Sequence, residues 1–429
     1  MRPRNRMLIL IASMIIPLWM SAQLTLDQCL DKATTNYPLI RRYQLVENTK
    51  ALQLSDINKG WLPRISVYAQ STAQNEVPDF PDPLRNMISQ NGQNFDGMGH
   101  LQYRLGADIS QTIWDGGAAK ALRRIQHATA DEAAASIAVG LYAVRERVID
   151  LFFGILLMEE QISQNKNTIA LLEADHRLVS SMHVNGTAMQ SDADMIEAQI
   201  LTMNQTLTDA LSSLESYRDI LGIFIGENLE DLSLVTPRAD MPADLITQRP
   251  ELRLFDARIR LNEARNAFSD ASLRPKAGFF AQAFYGYPGF NNFESMATRD
   301  MSLNLLAGVK LSWNIDSFYT RSNARKMTAE AVAGVKNDRE VFLFNNRMQA
   351  IAQAETINGL KKIIAEDSRI VALRGNVRRA AESQLKNGVI DATALLAKIT
   401  DENQAQLTAR YHRIRLLQNI YRLKNTLNK

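Results

Sequence analysis

Residues 101–117 read LQYRLGADISQTIWDGG, and residues 302–316 read SLNLLAGVKLSWNID. In the first stretch Leu101, Tyr103, Leu105, Ala107, Ile109 and Ile113 alternate with Gln102, Arg104, Asp108, Ser110 and Thr112. In the second, Leu303, Leu305, Ala307, Val309, Leu311 and Trp313 alternate with Ser302, Asn304, Lys310, Ser312 and Asn314. A period of two is that of a β-strand with one apolar and one polar face. Runs of roughly 10–14 residues are long for a globular strand and suit a tilted membrane-spanning one. Ile65, Val67 and Ala69 alternate in the same way with Arg64, Ser66 and Gln70, and Ala277, Phe279, Ala281 and Ala283 do so less cleanly. Strands are therefore expected at about 62–72, 100–114, 274–286 and 301–315.

Working outward, the chain repeats itself, and repeats constrain a fold before motifs do. Pro38 precedes Pro63 by the same interval that separates Pro250 from Pro275, and each second proline leads into a similar run, RISVYAQ (64–70) or KAGFFAQ (276–282). Asp115 and Asp316 are each followed, at nearly equal distances, by Asn185-Gly186 and Asn387-Gly388. Two tandem copies are expected, 23–222 and 248–429. Each has a helix (near 24–59 or 248–272), two strands, and a long helical hairpin with its tip near 183–188 or 386–391. Residues 223–247, with Pro237 and Pro242, link them.

The long helices carry a coiled-coil seam. Ile137, Leu141, Val144, Val148, Leu151, Ile155, Met158 and Ile162 follow a 4-3 spacing that continues through Asn165, Ile169, Leu172, His176 and Val179. Val341, Phe344, Met348 and Ile351 keep the same step in the second copy. At 1.5 Å per residue, a helix from about 118 to 182 is on the order of 100 Å long, beyond what a compact domain needs.

Residues 1–22 read as a secretory signal: Arg2, Arg4 and Arg6, an apolar run from Met7 to Met20, then Ser21-Ala22 before the cut. The apolar run is shorter than the roughly 20 residues a spanning helix needs. Removing those three of the 49 basic residues leaves 46 against 46 acidic ones, so the +3 charge belongs to the leader. A neutral remainder argues against a nucleic-acid partner, which calls for a basic excess. The single Cys29 excludes a disulfide framework or a multi-thiolate metal site, and it reads as a packing residue of the first helix. No later stretch approaches an apolar membrane span, which leaves an exported soluble protein or a β-barrel. Four strands cannot close a barrel, since the smallest use about eight, so a barrel requires several chains.

The order helix–strand–strand–long helix–turn–helix, given twice after a signal peptide, resembles the TolC family of outer-membrane efflux proteins. The matching features are the strand-entry prolines Pro63 and Pro275, the strand exit Trp114-Asp115-Gly116-Gly117, and the turns Asn185-Gly186-Thr187 and Asn387-Gly388-Val389. The resemblance implies an α+β membrane protein: a homotrimer whose 12-stranded β-barrel in the outer membrane is continuous with a helical coiled-coil tunnel in the periplasm. It implies an exit duct for efflux or type I secretion, partnered by a periplasmic membrane-fusion adaptor and an inner-membrane RND or ABC transporter. The alternative is a periplasmic coiled-coil adaptor or scaffold without a barrel.

Candidate functional residues follow. Trp61, Trp114 and Trp313 sit at strand ends, where the barrel reading makes them a periplasmic-rim girdle against outer-membrane lipid and the plainer reading makes them packing residues. Asn185, Gly186, Thr187, Asn387, Gly388 and Val389 are turn residues that tolerate positive φ, and the resemblance makes them adaptor-docking tips. Asp192 lies six residues after Gly186, where relatives carry an acidic gate; the second copy has Ala394 and Ala397 instead. Asp192 is thus a candidate tunnel gate, with helix capping as the competing role. Ser191 and Asp194 have capping-box spacing, and Asp391 reads as a cap. The loops at 72–99 and 286–300 read as surface loops. No catalytic, cofactor or dinucleotide motif is present. His176 and His183 lack a third ligand type, so no metal, no cofactor and no enzymatic activity are expected.

Overall fold

Prolines set the first boundaries. In the computed structural model, which describes residues 23–90, 97–229 and 232–429, the first helix is two helices. α1 (Leu26–Asn36) stops where Tyr37 turns extended (φ −62°, ψ 130°), a short 3-10 turn spans Pro38–Ile40, and α2 covers Arg41–Lys59. The ring of Pro38 disfavours helical backbone at the residue before it, so the single helix expected over 24–59 breaks there. The proposed leader, residues 1–22, lies outside the described residues.

The remaining elements follow in chain order. A two-residue strand β1 (Gln23–Leu24) precedes α1. After α2 come β2 (Arg64–Ala73), α3 (Asp82–Gln90), β3 (Leu101–Trp114), α4 (Ala118–Val184) and α5 (Gln190–Ile225). Then come β4 (Ser233–Leu234), α6 (Glu251–Ser272), β5 (Lys276–Tyr287), α7 (Asn292–Thr298), β6 (Ser302–Ser312), α8 (Ser317–Lys386) and α9 (Ala392–Leu427). Within 223–247, α5 continues to Ile225 and is capped by left-handed Gly226 (φ 74°). β4 then pairs in parallel with β1. The loops expected over 72–99 and 286–300 carry the short helices α3 and α7. They are fastened by Met98, Tyr287 and Met296, with Val77 and Phe80 against them. Phe80 also stacks on Phe293, with ring centroids 6.1 Å apart. Phe95 lies outside the described residues.

The chain divides into two compact units. Among the described residues, one comprises 23–40, Ala138–Pro250 and Phe342–Lys429. Its main core gathers Leu26, Cys29, Leu30 and Ala33 of α1, Val148, Ile149, Phe152, Phe153 and Ile155 of α4, and Leu221 and Ile225 of α5. Polar pins cross the core between helices. Gln164 donates to Asn403 (2.9 Å) and Gln406 (2.8 Å), Thr168 donates to Asn403 (2.7 Å), and buried Asn346 donates to the Thr426 carbonyl (2.8 Å). Burial pushes the Cys29 thiol up to about 12; Lys32 opposes that shift and Glu227 adds to it.

The other unit comprises Arg41–Ile137 and Glu251–Val341. It holds a four-stranded antiparallel sheet in the order β2-β3-β5-β6. The WDGG sequence turns β3 into α4. Asp115 accepts from the N–H groups of Gly117 (2.8 Å) and Ala119 (2.6 Å), and Gly116 and Gly117 take φ of 71° and 91°. A Cβ on Gly116 would lie 2.8 Å from the Arg274 Cβ, so a side chain has neither the conformation nor the room.

Phe152 is fully buried. Phe152→Ala is expected to cost about 3–5 kcal/mol, read as a lower thermal midpoint in far-ultraviolet circular dichroism; an unchanged midpoint would contradict this core assignment.

Candidate functional site

Cross-strand pairing assigns each sheet residue a face, because directly paired residues point the same way. Ile65 pairs with Ile109, Val67 with Ala107, and Leu105 with Tyr285; Ala277 pairs with Leu311, Phe279 with Val309, and Tyr285 with Leu303. That face is predominantly apolar and carries no charge; Ser71, opposite Tyr103, and Gln111, opposite Phe279, are its polar members. Its Ile65, Val67, Leu105, Ile109, Phe279, Tyr285, Leu303, Leu305, Val309 and Leu311 are between 40% and 79% exposed. An unpartnered apolar face of this size has no stable place in water. The opposite face carries Arg64, Ser66, Gln70, Gln102, Arg104, Asp108, Gln282, Asn304 and Lys310. The outer strands β2 and β6 have no further partner strand among the described residues, so one edge of each leaves its N–H and C=O groups open.

Trp61, Trp114 and Trp313 come together at one end of this sheet, where β2 and β5 begin and β3 and β6 end. The register slips between Thr112, opposite Gly278, and Trp114, opposite Ala277. That bulge adds one residue and sets Trp114 on the apolar face, an orientation that plain alternation does not give. Trp313 lies one residue past β6; its indole N–H donates to the Leu273 carbonyl (2.9 Å) and its ring meets Phe318 edge-on. These contacts are those of a packing residue between the strand end and the helix that follows.

In the helical unit, the two turns share one end of a four-helix core. Leu172 and Val179 of α4, Ala193 and Ile196 of α5, Ala381 and Leu385 of α8, and Leu395 and Ile399 of α9 pack there. The turns have one hydrogen-bond pattern. Gly186 donates to the His183 carbonyl and Thr187 to Met182; Gly388 donates to Leu385 and Val389 to Gln384, each at 2.9 Å. With φ of 73° and 69° at the glycines, these are paired Schellman caps. Asn387 adds a side-chain bond to the Ser383 carbonyl (2.8 Å), while Asn185 donates only through its backbone, to Ser181 (3.2 Å). Val184, Met189 and Val389 stand exposed around the turns.

The caps differ from expectation in one place. α5 starts after Met189, which offers no side-chain acceptor, and the Asp192 carboxylate reaches back to the Met189 N–H (3.0 Å). Ser191 is inside the helix, and Asp194 accepts from Gln190 (2.7 Å), so the Ser191–Asp194 spacing is not the cap. Asp391 caps α9 through the Ala394 N–H (2.8 Å).

The seam also drifts. Asp175, rather than His176, takes the inward position on α4, because a helix of 3.6 residues per turn departs from a strict heptad by about 20° per repeat. Asp175 is 7% exposed, and its Oδ2 has no hydrogen-bond partner. Burial raises its pKa to about 6, helped by Glu382 and opposed by Arg378 and Lys386. Arg378 in turn pairs with Glu402 of α9 and Glu382 of α8. On α8, Val341, Phe344, Met348 and Ile351 are exposed, whereas Ala350, Ala354 and Ile357 are buried against α9 residues Ile420, Leu423 and Leu427. The seam read on this helix is therefore a second, unpartnered apolar stripe. His183 spans its turn, a ring nitrogen 3.1 Å from the Ala188 carbonyl. Among the described residues no three His, Cys, Asp or Glu side chains converge as a metal site, and no helix is long and apolar enough to cross a membrane.

This is the fold of outer-membrane channels, with four strands and two long helical hairpins in one chain. Three solved structures share it over 94% of this chain: CusC, which forms a transmembrane channel (TM-score 0.67, 12% identity, 91% of that chain); the outer-membrane protein VceC of Vibrio cholerae (0.64, 12%, 95%); and the outer-membrane channel MtrE of Neisseria gonorrhoeae in its open state (0.64, 14%, 88%). No protein-family model and no curated protein matches the chain.

Asp175 generates a pH prediction. Its folded pKa lies above the ordinary value of 3.8, so the folded state holds the proton more tightly. Its contribution is most favourable below about 4 and is lost as pH rises through about 6. Asp175→Asn removes that loss. The melting-temperature difference, variant minus wild type, should grow between pH 4 and 6 and stay level above; a flat difference would contradict the assignment.

Proposed function

We propose that the chain is one protomer of an outer-membrane exit duct. The observation that carries this reading is the sheet: one face predominantly apolar, uncharged and exposed, the other bearing all the charges and most of the polar side chains, and both edges open. In hydrocarbon every backbone polar group needs a protein partner, so the edges must pair with other copies of the chain. Within a chain the strands alternate in direction, so β6 of one copy can meet β2 of the next antiparallel. Three copies make a 12-stranded barrel, the number that the family resemblance implies. The apolar face then meets outer-membrane lipid, with Trp61, Trp114 and Trp313 as a girdle at its periplasmic rim. The exposed stripe on α8 supports the same assembly, since a neighbouring copy's helices would cover it and build a periplasmic tunnel continuous with the barrel.

The chain would then comprise two copies of one unit, 23–222 and 248–429, joined by 223–247. The turns at Asn185-Gly186-Thr187 and Asn387-Gly388-Val389 would meet a membrane-fusion adaptor, with exposed Val184, Met189 and Val389 as apolar contacts. The inner-membrane partner, of RND or ABC type, supplies the energy, and the duct acts passively by offering a wet, polar-lined path. A periplasmic adaptor without a barrel is disfavoured, because it leaves the apolar sheet face in water.

Membrane fractionation followed by amine cross-linking tests the assembly. The expected result is a protein of the outer-membrane fraction, released only by detergent and cross-linked to a trimer; a soluble monomer would contradict it. For Asp192, a gate at the tunnel mouth predicts that Asp192→Ala raises single-channel conductance in a planar bilayer. Unchanged conductance would leave Asp192 as the cap of α5 alone.

A further inference from the structure

The four long strands contain five charged residues: Arg64 on β2, Arg104 and Asp108 on β3, Lys276 on β5 and Lys310 on β6. Register places all five on the polar face. Arg64 pairs with Ser110, Arg104 with Gln70, Asp108 with Ser66 and Gln282, Lys276 with Ser312, and Lys310 with Gly278. The apolar face has none. Four of the five are basic, although the chain without residues 1–22 carries equal numbers of acids and bases. The imbalance is therefore local to this surface.

The charges are also clustered. Arg64 and Lys276 open β2 and β5, and Lys310 lies two residues from the end of β6, so three bases share the tryptophan-bearing end of the sheet. All three are exposed, and none makes an ion pair among the described residues. Arg104 sits farther along, its guanidinium 4.9 Å from the centre of the Phe284 ring. An arginine over an aromatic face is held in place while keeping its charge. Asp108, the single acid, has no ion-pair partner among the described residues that would cancel a base.

Resting on the exit-duct reading, in which this face lines the lumen, we propose that the barrel wall is an electropositive selectivity surface favouring anionic solutes, those bearing carboxylate, phosphate or sulfate groups. Fixed charge on a low-dielectric wall concentrates counter-ions and excludes co-ions, and rings of Arg or Lys are the arrangement that selects anions. Three net positive charges per chain multiply with each copy in the ring. The field reaches about 10 Å at 0.1 M salt and about 30 Å at 0.01 M, so the preference strengthens as salt falls.

The test is the zero-current potential of the full-length protein in a planar bilayer, with about 0.1 M KCl on one side and 0.01 M on the other. Wild type should show the sign of chloride preference. The Arg64→Gln, Lys276→Gln, Lys310→Gln triple variant should lose most of it. Asp108→Asn, a smaller change that keeps every base, should increase it. A potassium-selective wild type, or a chloride preference that neither variant moves, overturns the proposal while leaving the duct reading intact. A preference moved by Asp192→Ala alone places selectivity at the hairpin turns and overturns it too. Absence of any conductance removes the duct reading and this proposal with it.

Discussion

A four-stranded sheet with two open edges and one apolar, exposed face is not a stable object alone. In water, side chains such as Val67, Leu303 and Leu305 lie bare. In lipid they are satisfied, but the outward backbone groups of β2 and β6 are then not, and each unpaired group in hydrocarbon costs several kcal/mol. Only closure with other copies of the chain meets both demands. The proposed oligomer, the membrane location and the lumen all derive from that one constraint. The strand lengths fit it as well, because the 14 residues of β3 exceed the roughly 9–11 that a tilted strand needs to span a bilayer.

The helical unit meets a related demand by different means. Its core is finished within one chain where α1, α4 and α5 surround Phe152 and Phe153. Along α8 it is less complete. α8 buries Ala350, Ala354 and Ile357 against α9 but leaves Phe344, Met348 and Ile351 outside. The turn end also retains an under-satisfied acid, Asp175, facing Arg378, Glu382 and Lys386. Burying a carboxylate without a full set of hydrogen bonds lowers stability at neutral pH, and the polar pins from Gln164 and Thr168 to Asn403 hold the helices in register beside it.

Much of this was legible in the residues because period two and period 3.5 are strong signals over long runs. The pattern in 101–114 gave the limits of β3 to within a residue, since every second side chain faces one solvent. The turns were legible because Asn-Gly admits positive φ. What was not legible depends on geometry that periodicity does not carry. The bulge that turns Trp114 onto the apolar face exists only in the pairing with β5. The break at Tyr37 comes from the proline ring acting on its neighbour, although the helical pattern continues past it. α3 and α7 are too short for a period to register, and their anchor residues Met98 and Tyr287 are far apart in sequence. Asp175 displaces His176 because drift accumulates along 67 residues of α4.

The most direct measurement of the central claim is the environment of the two sheet faces in a bilayer. Nitroxide labels placed one at a time along residues 64–73 and 302–312 of the reconstituted protein report collisions with oxygen, which prefers lipid, and with a water-soluble nickel chelate. Strict alternation is expected: Val67, Leu305 and Val309 open to oxygen, and Ser66, Asn304 and Lys310 open to the chelate. Both faces equally open to the chelate would mean that the sheet does not enter a membrane, and the shared barrel would have to be abandoned.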